Sequence, residues 1–203
     1  MSIELQRKLE TMDEESAYEL GIQYHGERRL DEAILCWEKA ADKMADAAYN
    51  LTQVLDRPGD RNKFLEWLEV LAVKHKDPWG VTLLGILLCG VEHKIWKDAG
   101  FSPLPPEERE KGLAFIKLGI EQGSDKDFQF QDYNAAAEAH YRRPGKPSFD
   151  GCTIEEVQRA LEYQQKARNA IEPLARQNPM ARQMADLYQS AIDNIKGYLN
   201  ARR

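Results

Sequence analysis

Residues 16–55 read SAYELGIQYHGERRLDEAILCWEKAADKMADAAYNLTQVL. Two helical patterns and the start of a third meet in this stretch. The first carries Ala17, Leu20, Gly21 and Tyr24, and the second carries Ala33, Trp37, Ala40 and Ala41. The third begins at Ala47, Ala48, Tyr49 and Leu51. Alanine and glycine stand where helices must approach closely, and one tryptophan is large enough to fill the gap between them. Leu20-Gly21, Leu51-Thr52 and Leu84-Gly85 recur at spacings of 31 and 33 residues. A period of 30 to 40 built from helix pairs is the mark of a stacked helical repeat.

The pattern continues outward on both sides. Ser2 to Met12 reads as a short amphipathic helix, with Ser2 as N-cap and Ile3, Leu5, Leu9 and Met12 on one side, suited to covering the open end of the first repeat. The next helices are expected over 16–26, 31–43 and 46–55. Gly26 is expected to end the first of these in a left-handed conformation, and Asp31 to cap the second. Asp60 to Lys76 places Phe64, Trp67, Leu68 and Leu71 on one stripe. Trp79 to Gly90 is apolar nearly all round and belongs at the centre of the structure. Helices follow over 107–122 and 127–141. Thr153 and Glu156 form a capping box that opens a helix running to about Gln177, with Pro173 set to kink or divide it. Pro179 opens a last helix to about Asn200.

Two irregular stretches, Val91 to Pro106 and Arg142 to Cys152, interrupt the helices and carry Trp96, Phe101 and Phe149. Such segments either bind something or pin themselves to the core through their aromatics. No flexible linker divides the chain, so residues 1–203 read as one domain. Its clearest repeats lie in 16–123, and its degenerate C-terminal helices lie in 153–201.

Composition narrows the function. The chain has 203 residues, 42% of them hydrophobic, and a formal net charge of −6. An acidic balance argues against a general nucleic-acid binder. Three dispersed cysteines, Cys36, Cys89 and Cys152, suggest a reducing compartment rather than a disulfide framework. The charged N-terminus has no signal-peptide core, and the longest apolar run, 81–91, falls well short of the ~20 residues of a membrane span. A cytoplasmic protein that engages no membrane is the expectation.

Catalytic signatures are lacking. His25, His75, His93 and His140 are scattered, and Gly90 separates Cys89 from His93. No second ligand pair supports a metal site. No His-Glu-x-x-His, phosphate loop or nucleophile elbow occurs. Glu107 to Lys111 and Glu155-Glu156 read as solvated helix starts. The expectation is no catalytic residue, no metal and no cofactor. A small metal-dependent hydrolase using Cys89, His93 or His140 is the alternative.

The motif residues give the repeat a family likeness. Ala17, Leu20, Gly21 and Tyr24, followed by Trp37, Lys39, Ala40 and Ala41, resemble Sel1-like repeats, relatives of the tetratricopeptide repeats. Met44 and Thr52 stand where that pattern usually has glycine, and the C-terminal third lies outside the likeness. The resemblance implies an all-α, right-handed solenoid of antiparallel helix pairs whose concave face binds another protein. It implies a scaffold or adaptor. In its narrower form this is a bacterial immunity protein that blocks a secreted, basic effector or toxin. In such repeats the first helix of each pair lines the groove, which selects Tyr18, Ile22 and His25, then Tyr49, Gln53 and Asp56, then Trp79, Thr82 and Ile86. Tyrosine and tryptophan are effective interface anchors. Trp79 and Ile86 can equally be core. Trp37 and Trp67 read as core.

Overall fold

The computed structural model describes residues 3–55, 58–91, 97, 108–123, 130–142 and 149–202. Among them every regular element is helical. The helices are α1 (Ile3–Thr11), α2 (Glu14–Gly26), α3 (Leu30–Ala40), α4 (Ala45–Val54), α5 (Arg61–Glu69), α6 (Pro78–Leu88), α7 (Arg109–Glu121), α8 (Phe130–Tyr141), α9 (Ile154–Ala175) and α10 (Pro179–Asn200). The chain packs as two compact units. One comprises residues 1–81 and 95–101, and the other comprises 82–94 and 102–203.

In the first unit, α2 packs on α3, α3 on α4, and α4 on α5. Asp13 caps α2 by accepting the Ser16 N–H at 2.8 Å. The helix runs through Gly26, and the chain turns instead at Arg28, which takes φ 61°. The Arg29 guanidinium then lies 4.2 Å over the Tyr24 ring. The helix ends at Gly26 as expected, but the left-handed residue is Arg28, two positions on. Asp31 sits inside the first turn of α3, whose N-cap is Arg29, so it supports the helix dipole and does not cap.

The core of this unit explains the small residues. A Cβ on Gly21 would lie 2.5 Å from Trp37 Nε1, so only glycine lets α2 pass over the indole. Trp37 is 1% exposed, with Ala17, Ala33, Ala40, Ala41, Ala47 and Ala48 all fully buried in the same unit. Thr52, the counterpart of Gly21 in the next repeat, is 1% exposed and satisfies its hydroxyl on the Tyr49 carbonyl at 2.7 Å. Leu5 and Leu9 of α1 are buried in a cluster with Ala17 and Cys36, as the amphipathic pattern predicts. Ser2 and its expected cap lie outside the described residues.

Phe64, Leu68 and Leu71 are buried, but Trp67 is only half-buried. Beyond α5 the helix widens into a π turn over Val70–Lys74. The turn closes with His75 N–H on the Val70 carbonyl at 3.2 Å. His75 Nε2 reaches the Ala41 carbonyl at 2.8 Å, and Lys74 pairs with Asp42. Both contacts fasten the end of this helix to the α3–α4 connection.

In the second unit, α8 packs on α9 and α9 on α10. Ala136, Ala137 and Ala139 of α8 are fully buried with Val157, Ala160, Ala167 and Ile171 of α9. Gly85 and Gly112 approach so closely that a Cβ on either would lie 2.6 Å from the other's carbonyl oxygen. The third Leu-Gly of the repeat thus packs against α7. Gly123, at φ 103°, ends α7.

The capping box at Thr153 is present, with Thr153 Oγ1 accepting from Glu156 N–H at 3.2 Å and Glu156 accepting from Thr153 N–H at 2.8 Å. Pro173 lies within α9 and does not divide it, since the helix runs on to Ala175. Asn178 caps α10.

Candidate functional site

The alternation of small inward residues sets which side chains face out. Ala17 and Gly21 point inward on α2, so Ile22 and His25 face solvent and Tyr18 is half-buried. On α4, Ala48, Leu51 and Thr52 point inward, and Tyr49 and Gln53 face solvent. Ile22 and Tyr49 are each 42% exposed, large for apolar and aromatic side chains. Tyr49 is held in place: the half-buried Trp79 ring meets it edge to face, with centroids 5.2 Å apart and planes at 65°. This geometry favours the pair beyond the area it buries. His25 rests against the buried Trp37, with ring centroids 5.5 Å apart. Ile22 also lines a shallow cleft of about 480 Å³ between α1 and α2 with Lys8, Met12 and Leu20.

One of the nine expected groove positions, Thr82, is overturned, and Ile86 takes the core place left open for it. Thr82 is fully buried and Ile86 is 1% exposed. Beyond Trp79, Val81, Leu83, Leu84 and Leu87 are also buried. A helix enclosed on every side displays no groove residue past its first turn. Asp56 lies outside the described residues. The structure therefore brings Tyr49 and Trp79 into contact. It places Tyr18, Ile22 and His25 at i, i+4 and i+7 of one helix.

Sequence reasoning missed a second concavity of this unit. A cleft of about 590 Å³ separates α3 from the start of α5. It is lined by Ile34, Leu35 and Leu55 together with carboxylates such as Glu38, which Lys63 bridges at 2.6 Å. The signal was present in Ile34 and Leu35, apolar residues of α3 that the repeat pattern does not require.

The helix starts read as solvated are not all solvated. Arg109 joins three helices of the second unit. Nη1 donates to Glu156 at 3.0 Å, and Nη2 donates to the carbonyls of Ala139 and His140 at 2.7 and 3.0 Å. Its side chain is 13% exposed and that of Glu156 is 19% exposed. Arg109 thereby caps the C-terminal end of α8, where a cation suits the helix dipole, and pairs with Glu156, a carboxylate that suits the first turn of α9. Phe149, at φ 68°, lies with its centroid 5.3 Å from Tyr141 and 4.7 Å from Tyr198. These contacts hold Phe149 itself against the unit. Trp96 and Phe101 lie outside the described residues.

Among the described residues no three His, Cys, Asp or Glu side chains converge as metal ligands. Cys89 is buried with Sγ 3.6 Å from the Arg109 carbonyl, and His93 is outside the described residues. Burial pushes the Cys36 thiol up to about 11. No helix among the described residues is long and apolar enough to cross a membrane.

No protein-family model matches the chain, and no curated protein matches it.

Proposed function

We propose that this chain is a non-enzymatic helical-repeat scaffold of the Sel1-like kind, a right-handed solenoid of antiparallel pairs that binds another protein. The recognition surface is the outward side of α2 and α4, with Tyr18, Ile22, His25, Tyr49 and Gln53, joined by Trp79. One observation carries the reading: a tyrosine 42% exposed is braced edge-on by a tryptophan. A braced aromatic loses little side-chain entropy when a partner covers it, which is what an interface anchor requires. The repeat supports the same reading, because Gly21, Thr52 and Gly85 are all buried at their equivalent places. The acidic net charge of −6 favours a basic partner by steering.

In its narrower form the partner is a bacterial effector or toxin that the scaffold blocks in the cytoplasm. The test is affinity capture from the native source, followed by titration of the captured protein against wild type and Tyr49→Ala. Loss of an anchor costs about 2 kcal/mol or more, close to thirtyfold in Kd. Unchanged affinity with an intact fold rejects the surface. Co-expression with the captured protein tests blockade, and continued toxicity rejects the narrower form.

A further inference from the structure

The second unit holds a cavity of about 270 Å³ lined by Leu113, Ala114 and Lys117 of α7, His140 of α8, and Arg159 and Tyr163 of α9. Its charge runs against that of the chain. The protein carries a net −6, yet the described lining includes two cations and no carboxylate. The remaining walls are flat and largely apolar. The His140 and Tyr163 rings stack with centroids 5.6 Å apart and planes at 22°. Tyr163 is 7% exposed.

Both cations are open to exchange. Lys117 stands 3.8 Å from Glu121 and Arg159 stands 3.9 Å from Glu162, each within its own helix and beyond hydrogen-bond length. The four side chains are between 57% and 68% exposed, so these pairs hold weakly. A carboxylate entering the cavity would replace a loose contact with charge-assisted hydrogen bonds. An inorganic anion would leave the apolar walls uncovered. A neutral ring would leave the cations without a new partner. The volume lies just below the range of drug-sized pockets, which suits a ligand of about ten heavy atoms.

We propose that this cavity binds a small carboxylate with a flat apolar body. Lys117 and Arg159 hold the charge, and the body lies against Leu113, Ala114 and the His140–Tyr163 rings. This site is independent of the recognition surface on α2 and α4.

The test titrates the full chain with benzoate, with neutral benzamide and with cationic benzylamine, following the backbone amides of Leu113 and Ala114 by NMR. Benzoate is expected to shift them and to bind at least tenfold tighter than either analogue, a preference equivalent to about 1.4 kcal/mol. Lys117→Gln combined with Arg159→Gln is expected to weaken benzoate at least tenfold and to leave the melting temperature unchanged, since both side chains are exposed. Equal binding of benzoate and benzamide to the wild type overturns the proposal, whatever the variant does. So do shifts confined to other residues, and so does an absence of saturation by about 10 mM.

Discussion

Gly21→Ala tests the packing that organises the first unit. The new Cβ would stand 2.5 Å from Trp37 Nε1, 2.6 Å from Cδ1 and 3.1 Å from Cε2. Ordinary contact begins near 3.5 Å, so the indole or α2 must move by about 1 Å. The indole has little room, being 1% exposed with the His25 ring 5.5 Å away. Overpacking of this kind costs about 1–3 kcal/mol. Alanine returns up to ~1 kcal/mol through its helix propensity.

The net expectation is a loss of about 1–2 kcal/mol. Gly26→Ala is the control: it lies on the same helix, and a Cβ there meets nothing within 4 Å. It should be neutral or stabilising by up to ~1 kcal/mol. Urea unfolding followed by circular dichroism measures both. Lower stability for Gly21→Ala with the slope unchanged supports the account. A Gly21→Ala protein as stable as Gly26→Ala would refute it.

Other parts of the structure make further claims. Arg109→Met removes the Glu156 pair and the cap on α8, and should cost about 2–4 kcal/mol in thermal or urea unfolding; a loss under 0.5 kcal/mol would show that Arg109 is solvated after all. Thr153→Ala breaks the capping box and should cost about 1 kcal/mol, whereas Thr153→Ser should be near neutral. The buried Cys36 thiol should resist disulfide reagents at pH 8 until the unit opens, and labelling as fast as a free thiol would contradict its burial. Its folded value of about 11 lies above the ordinary 9.0. Its contribution is therefore complete below pH 9 and is lost as pH rises toward 11. Tyr188, raised by burial to about 12, extends the same alkaline loss above pH 10. Urea midpoints measured between pH 8 and 11.5 should fall progressively, and a flat profile would exclude both groups.

Much of the architecture was legible because it follows from local rules. The Leu-Gly and Trp-x-Lys-Ala-Ala spacing located α2 and α3, and Gly21 beneath Trp37 gives that spacing its physical cause. The capping box at Thr153 and the proline that opens α10 declared themselves for the same reason. What escaped depended on long-range contacts. Nothing near Arg109 in sequence announces that it meets Glu156, 47 residues away. Thr82 was assigned by extending the repeat into α6, but the surroundings of a helix decide its exposure, and these enclose it. The π turn after Glu69 arises where Lys74 and His75 reach back to Asp42 and Ala41, again a contact between distant residues. On the candidate surface, exposure at Ile22, His25, Tyr49 and Gln53 followed from helix periodicity. The bracing of Tyr49 by Trp79 needed the third dimension.

The recognition surface can be tested most directly by photo-crosslinking in the native source. A photoreactive amino acid replaces Tyr49, Ile22 or Gln53 in turn, with the exposed Glu66 of α5 as the control position. The account predicts one common protein adduct from the first three positions and none from Glu66. An adduct at Glu66 alone, or no adduct at Tyr49, would contradict it.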